Sequence, residues 1–213
     1  SRLGLPGLPG EPARSLGEIA EEAHWSDRSR ELFESEIHHQ LADLGLPLYV
    51  TTNFDNFMTL ALRAKAGQAR RETVNWREKA RRDAGQPRRS LTPEPSPQNP
   101  VVMHLFGTDD DPLSMVLTED DYLDYLACIS KDYEYLLPTD VYQALASTTL
   151  LFLGYRLDDL DLKVILRGLL PNLDLQRWDM LHVAVQMESS AADQATQEEV
   201  TTYFEKYFAK SKI

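Results

Sequence analysis

Two short apolar runs, each ending in a polar cluster, constrain the fold of this chain most strongly. The first run, 46–50, leads into Thr51-Thr52-Asn53-Phe54-Asp55, and the second, 101–103, leads into His104-Leu105-Phe106-Gly107. Both runs have the composition of buried strands. Because open α/β sheets bind ligands at the carboxyl ends of their strands, the two clusters predict a site at one edge of a sheet.

Strand patterns and helix patterns alternate along the chain. Apolar residues at helical spacing predict a helix over 31–44 and another soon after Asn53, and Thr118 with Asp121 forms a variant capping box that begins a third. A third apolar run, 149–153, ends at Gly154. Further helices are predicted over 131–137, 140–147, 159–170 and 197–210, and a further strand over 181–186. This alternation predicts a single α/β domain over 1–213, with a parallel sheet and helices on both faces.

The composition bounds the class of protein. A hydrophobic share of 42% supports a sizeable core, and no apolar run approaches the ~20 residues that cross a bilayer. The first residues lack the basic-then-apolar pattern of a secretory signal, and the one cysteine, Cys128, cannot form an internal disulfide or a zinc site built from thiolates. We therefore expect a cytoplasmic protein with no membrane span and no metal.

Charge is unevenly distributed over the sequence. The net charge is −12, yet the segment 70–89 holds eight basic and three acidic residues, which makes it +5 and leaves −17 elsewhere. The net charge argues against nucleic-acid binding by the whole surface. Because residues 66–99 are polar, basic and then proline-rich, we predict a long loop with at most one short helix. That insertion is either a solvated, mobile segment or an electrostatic arm for an anionic partner such as nucleic acid.

Polar residues at the strand ends have two interpretations. Asn53 or Asp55 can cap the following helix, since asparagine and aspartate accept hydrogen bonds from the free amides of a first turn. His104 is either a hydrogen-bonded core histidine or a catalytic base. The acidic run after it, Asp109-Asp110-Asp111, is typical of an exposed turn.

Three motifs in order resemble those of the sirtuin-like proteins. Thr51-Thr52-Asn53-Phe54-Asp55 resembles their Thr-x-Asn-x-Asp motif. Leu151-Phe152-Leu153-Gly154-Tyr155-Arg156-Leu157-Asp158 is similar to the Leu-Phe-x-Gly-Tyr-Ser-Leu-x-Asp motif of their prokaryotic branch. The stretch from His104 to Tyr122 resembles the part that carries the family's histidine and the helix after it. The resemblance covers roughly residues 40–170.

The resemblance implies a Rossmann-like α/β fold with NAD as substrate or ligand. Prokaryotic relatives are mostly NAD-glycohydrolases that act as toxic effectors in anti-phage defence, which implies a homo-oligomer or a fused or partner defence domain. It also implies that Asn53 orients the attacking water, that Asp55 supports the pocket and that His104 acts as base. It assigns cofactor contacts to Thr51, Thr52, Phe54, Gly107, Gly154, Tyr155 and Arg156.

The sequence departs from the family pattern at three places. Phe106 precedes Gly107, where relatives with a His-Gly pair have the histidine, and His104 lies two residues earlier. Residues two apart in a strand share a face with Cα atoms ~6.5 Å apart, so His104 lies further from the strand end. Arg156 stands where relatives usually have serine. Its guanidinium is either a phosphate ligand or a partner of Asp158. We also expect a fragment that lacks the family's first strand, its glycine-rich loop and a last strand.

Two functional hypotheses follow from the resemblance. The first is an enzyme that hydrolyses NAD to nicotinamide and ADP-ribose. Protein deacetylation is not expected, since the family's zinc-binding insertion needs four cysteines and the chain has only Cys128. The second hypothesis is a catalytically inactive nucleotide-binding or assembly module of a multidomain defence protein, and the displaced histidine supports it.

Overall fold

The computed structural model describes residues 14–32, 36–77, 89–154, 183–185 and 202. The chain divides into two compact units, one formed by Ser1–Asp121 with Tyr135–Asp140 and the other by Tyr122–Glu134 with Val141–Ile213. The helices predicted over 159–170 and 197–210 lie outside the described residues, apart from residue 202.

A parallel sheet organises the first unit. Strands β1 (Leu48–Thr51), β2 (Arg70–Thr73) and β3 (Val101–His104) pair in the order β1-β3-β2. Thr51 and Thr73 both lie opposite His104, so the three strands end at the same level. The central strand, β3, is buried along its whole length, because a neighbour covers each edge and its first three side chains are apolar.

Four helices accompany this sheet: α1 (Leu16–Glu22), α2 (Trp25–Leu32), α3 (Ile37–Asp43) and α4 (Phe57–Ala66). Helix α4 contacts the other three and β3. The core between them is built from small and apolar side chains, namely Ala42, Ala61, Leu62, Ala69 and Val102. Helix α4 ends at Gly67, whose φ of +78° suits the left-handed turn that closes a helix.

Two predictions for the first unit are wrong in part. The helix predicted over 31–44 is interrupted, because Glu36 is extended and its carboxylate accepts a hydrogen bond from the His39 amide at the start of α3. The loop predicted over 66–99 contains β2. The Arg-Arg-Glu-Thr sequence of β2 has no apolar alternation, and its strand conformation comes from pairing with β3.

The remaining described elements are two helices and two strands, and all but one of the predictions for them hold. Helix α5 (Glu119–Leu136) begins with the expected capping box, in which Thr118 and Asp121 bond each other's backbone amides. It continues without a break to Leu136, so the separate helix predicted over 131–137 is wrong. Helix α6 (Thr139–Ser147) precedes β4 (Leu151–Leu153), which pairs in parallel with β5 (Val183–Val185).

The α/β class with parallel strand pairing is therefore confirmed in both units. None of the helices within the described ranges has the length and apolar character that crossing a membrane requires.

Candidate functional site

The carboxyl edge of the three-stranded sheet carries the candidate site. Because β1, β2 and β3 end in register, the segments that follow β1 and β3 leave the sheet side by side. The Leu105 amide donates to the Thr51 carbonyl at 2.9 Å, and the Asp109 amide donates to the Phe54 carbonyl at 3.0 Å. The two polar clusters of the sequence therefore meet, as predicted.

The segment after β1 presents Asn53 and Asp55. The Asn53 amide donates to Thr51 Oγ1 at 3.0 Å, and the Asn53 side chain is exposed. Asp55 Oδ1 accepts from the Phe57 amide at 3.1 Å, at the first residue of α4. The capping prediction for this helix is wrong, because its N-cap is Asn56, which makes no side-chain capping hydrogen bond, and Asp55 binds the Phe57 amide from one residue before the cap. The side-chain amide of Asn53 lies at the surface of the edge.

His104 lies beneath this segment and is 1% exposed. Its Nδ1 is 2.7 Å from the Asn53 carbonyl oxygen, and the Nε–H of Arg71 donates to its Nε2 across 3.2 Å. Since Arg71 can only donate, Nε2 accepts and the proton of the ring lies on Nδ1. His104 is therefore a neutral imidazole that donates to the backbone of Asn53.

Two effects keep His104 neutral. Burial, followed by the positive charge of Arg71, lowers the pKa of His104 from 6.5 to about 4. The hydrogen bond to Asn53 and the carboxylates of Asp55 and Asp109 act in the opposite direction and are weaker. Both ring nitrogens are hydrogen-bonded, so the lone pair on Nε2 is already in use.

Arg71 connects the strand ends. It lies on β2, and its side chain is 12% exposed. Besides His104, it donates to the Phe54 carbonyl, to Asp109 Oδ1 at 2.9 Å and to the Asp110 carboxylate. The guanidinium group thus binds the segment after β1, the end of β3 and the turn after β3 at once.

Asp109 extends these contacts to the first helix. Its carboxylate is 12% exposed, and Oδ2 accepts from the Gly17 amide at 3.1 Å. The prediction of an exposed acidic turn over 109–111 is therefore wrong for Asp109, because Arg71 pairs with its carboxylate and the Gly17 amide donates to it. Gly17 also packs against Asn56, whose Nδ2 would lie 2.5 Å from a Cβ at position 17.

Gly107 begins a tight turn beyond β3. Its φ is +94°, and an added Cβ would lie 2.4 Å from the backbone carbon and oxygen of Ser114. The Ser114 hydroxyl accepts from the Thr108 amide at 3.0 Å, and the Ser114 carbonyl accepts from Trp76 Nε1 at 2.8 Å. Phe106, immediately before the glycine, is completely buried.

The predicted site residues are thus partly brought together. The sheet edge of the first unit assembles Thr51, Thr52, Asn53, Phe54, Asp55, His104 and Gly107. Gly154 follows β4 in the second unit, is exposed and has a φ of +76°. Tyr155 and Arg156 lie outside the described residues.

Sequence reasoning missed Arg71, Asp109 and Asn56. Arg71 is one of many basic residues in the segment 70–89, and nothing in its neighbours marks it as buried. The apolar Val74 and Trp76, both buried in the structure, are the signal that this segment returns to the core. Asn56 is 7% exposed, and its Oδ1 has no hydrogen-bond partner in the described part of the chain.

The described arginines of the basic segment are held by intramolecular contacts. Arg70 donates to the Thr92 and Pro93 carbonyls, Arg77 to Asp121, and Arg89 to Glu72. The remaining basic residues, Lys79, Arg81, Arg82 and Arg88, lie outside the described residues. An electrostatic arm thus stays a prediction for that part.

Within the described ranges, the structure contains no group of three or more side chains that suits a metal ion.

The comparisons with known proteins agree with the fold. A family model described as SIR2-like domain matches residues 47–210, which is most of the chain and includes the whole edge from Thr51 to Gly107. No curated protein matches the sequence. The chain therefore belongs to the SIR2-like domain family.

Proposed function

We propose that this domain binds NAD and hydrolyses it to nicotinamide and ADP-ribose. Membership of the SIR2-like family supports NAD as the ligand. Hydrolysis breaks the bond between ribose C1′ and the nicotinamide nitrogen. The electron pair of that bond leaves with neutral nicotinamide, while water supplies the new hydroxyl and its second proton passes to solvent. The transition state resembles an oxocarbenium ion, so the protein chiefly needs a positioned water and a shielded pocket.

One observation carries the proposal: Asn53 is an exposed amide on a backbone segment whose carbonyls are fixed from below. The Asn53 carbonyl is bonded by His104 at 2.7 Å, and the Phe54 carbonyl is bonded by the Asp109 amide at 3.0 Å and by Arg71. A fixed backbone limits the orientations open to the Asn53 side chain, which favours the positioning of a water molecule. We assign the attacking water to the Asn53 amide group.

Asp55 has a second role in this proposal. Its Oδ1 accepts from the Phe57 amide at the start of α4, and we assign its Oδ2 to a ribose hydroxyl. For the diphosphate, the proposal retains the contacts that the family resemblance assigns to Gly154, Tyr155 and Arg156.

We propose that His104 positions Asn53 and does not remove the proton of the water. A base needs an available lone pair within hydrogen-bond reach of that proton, and Nε2 of His104 accepts from Arg71. The buried ring instead supplies a fixed donor at Nδ1. Because an oxocarbenium-like step demands little activation of the water, loss of a base is compatible with turnover.

The occupied Nε2 also favours a second candidate, a domain that binds NAD without turning it over. This candidate keeps every contact of the site but assigns the chemistry to a fused domain or a partner. Nicotinamide release separates the two candidates, and isothermal titration with NAD measures binding in either case.

The first experiment incubates the purified chain with NAD and follows nicotinamide and ADP-ribose. We expect release by the wild type and a loss of about 100-fold in kcat for Asn53→Ala. Asn99→Ala is the matched control, since Asn99 precedes β3 at the opposite edge of the same sheet. Binding without release would exclude hydrolysis and favour the second candidate, while equal turnover by both variants would refute the role of Asn53.

A role in anti-phage defence belongs to this proposal, because hydrolysis of NAD would deplete the infected cell. It includes assembly into a homo-oligomer or with a fused or partner domain in the cytoplasm. Expression of the wild type and of Asn53→Ala in phage-challenged cells tests it, and equal protection by both would contradict it.

A further inference from the structure

We infer that Arg71 is a positioning residue for the proposed site and sets the orientation of Asn53 from beneath the sheet edge. This inference rests on the proposed function for its effect on turnover. It assigns a role to a residue on β2, which neither the sequence motifs nor the family match singles out.

The first step is that the guanidinium group of Arg71 holds several segments at once. It donates four hydrogen bonds, to His104, to the Phe54 carbonyl and to the carboxylates of Asp109 and Asp110. These partners belong to β3, to the segment after β1 and to the turn after β3. Only a planar group with five donors can bind acceptors in so many directions at once, and the ammonium group of lysine cannot replace it.

The second step is that Arg71 reaches Asn53 by two routes. It binds the Phe54 carbonyl directly, and it holds Nε2 of His104, whose Nδ1 binds the Asn53 carbonyl. The carbonyls of the Asn53–Phe54 peptide and of the following Phe54–Asp55 peptide are thereby fixed. Because the Asn53–Phe54 peptide sets ψ at Asn53, holding its carbonyl restricts the directions that the Asn53 side chain can take.

The third step concerns charge. A cation beneath a site that develops an oxocarbenium ion would oppose the reaction. Asp109 and Asp110 compensate the charge of Arg71, and Asp109 is as buried as the arginine, at 12% exposed. Arg71 therefore supplies geometry, while its carboxylate partners cancel its field.

The test replaces Arg71 by lysine and compares it with Arg70→Lys. Arg70 is the preceding residue of β2, and its guanidinium binds the Thr92 and Pro93 carbonyls, away from Asn53. Both variants lose an arginine fork from the same strand and keep its charge. We expect Arg71→Lys to lower kcat by about 100-fold with an unchanged KM for NAD, and Arg70→Lys to retain the turnover of the wild type.

Hydrogen–deuterium exchange provides a readout that does not require turnover. We expect faster exchange in peptides that cover 51–57 and 107–111 for Arg71→Lys than for Arg70→Lys. If Arg71→Lys does not fold, Asp109→Asn replaces it, and Asp111→Asn is its control because the Asp111 carboxylate accepts from the Leu113 amide in the same turn.

The outcomes separate the inference from the proposed function. A wild type that releases no nicotinamide overturns the function, and exchange at 51–57 then decides the positioning role alone. Equal kcat and equal exchange in the Arg71 and Arg70 variants overturn the inference while hydrolysis stands. A higher KM for NAD in Arg71→Lys with an unchanged kcat also overturns it, since that result would make Arg71 a contact for NAD binding.

Discussion

Arg71 and His104 lie on neighbouring strands and share a hydrogen bond of 3.2 Å from Nε–H to Nε2. This contact determines the tautomer of the histidine, because an acceptor at Nε2 places the proton at Nδ1. A cation thus fixes the protonation of a buried ring and directs its donor to the backbone of Asn53. In many proteins a carboxylate orients a histidine and favours the protonated, charged imidazolium. Arg71 has the opposite effect and disfavours that charged form.

His104 should make stability depend on pH. Its pKa is about 4 in the folded chain and 6.5 without burial, so on acidification the unfolded chain binds a proton first. The contribution of neutral His104 is complete above pH 6.5 and is lost as the pH falls toward about 4. The difference between the two pKa values corresponds to about 3 kcal/mol.

Urea unfolding at neutral and at mildly acidic pH measures this effect. His104→Asn cannot titrate and retains a donor near the place of Nδ1, so its free energy of unfolding should fall less on acidification. Asn99→Ala, which removes no titratable group, should keep the pH dependence of the wild type. Parallel curves for the wild type and His104→Asn would contradict the assignment.

Replacement of Gly107 by alanine should destabilise the chain by more than ~2 kcal/mol. The new Cβ would meet backbone atoms of Ser114 at 2.4 Å, which cannot rotate away as a side chain can. Gly45→Ala is the matched control, since Gly45 has a φ of +62° with nothing within 4 Å and reports the cost of φ alone. Thermal unfolding of both variants measures the difference. Equal losses of stability would show that the turn after β3 shifts to accommodate the added Cβ.

The capping box of α5 should contribute about 1 kcal/mol to stability. Thr118→Ala removes the hydroxyl that accepts from the Asp121 amide at 3.1 Å, whereas Thr118→Ser retains it. Chemical unfolding should separate the two variants by that amount. A serine variant as unstable as the alanine variant would point to the lost methyl group.

The same box predicts a second acid-sensitive step. Burial would raise the pKa of Asp121, but hydrogen bonds from the Thr118 and Leu117 amides, the Thr118 hydroxyl and Arg77 outweigh it and lower the pKa from 3.8 to about 2. This contribution is complete above pH 3.8 and is lost as the pH falls toward about 2. Asp121→Asn should remove the step, which unfolding measured below pH 3.8 can test.

Gly17 and Asn56 should show a coupled effect. Gly17→Ala places a Cβ 2.5 Å from Asn56 Nδ2, so we expect a loss of about 1–3 kcal/mol in the wild type and a smaller loss in the Asn56→Ala background. A double-mutant cycle by chemical unfolding yields the coupling. Additive effects would mean that the loss in Gly17→Ala does not come from its contact with Asn56.

The sequence predicted the parts of the site that depend on local pattern. Apolar runs ending in polar clusters predicted β1, β3 and their common edge, and the capping box predicted the start of α5. Non-local contacts escaped this reasoning. Arg71 bonds to a residue 33 positions away, and Asp109 to one 92 positions away, so no window of sequence contains both partners.

The placement of the histidine shows the same limit. Spacing alone left His104 as either a core residue or a base, and its burial, its tautomer and its Arg71 contact all depend on β2. That strand was predicted as loop, because its residues carry charge on both faces. Its conformation is imposed by β3, with which all four of its residues pair in parallel register.

The parallel arrangement of β1, β3 and β2 has a consequence for synthesis. A nascent chain that has emerged only as far as Thr73 already contains Asn53, but it lacks the central strand that separates β1 from β2. The direction of the Asn53 side chain is therefore decided only when the turn at Asp109 has been translated and has joined the sheet edge. A ribosome-bound chain that stops short of this turn would carry the whole Thr-x-Asn-x-Asp motif and no formed site.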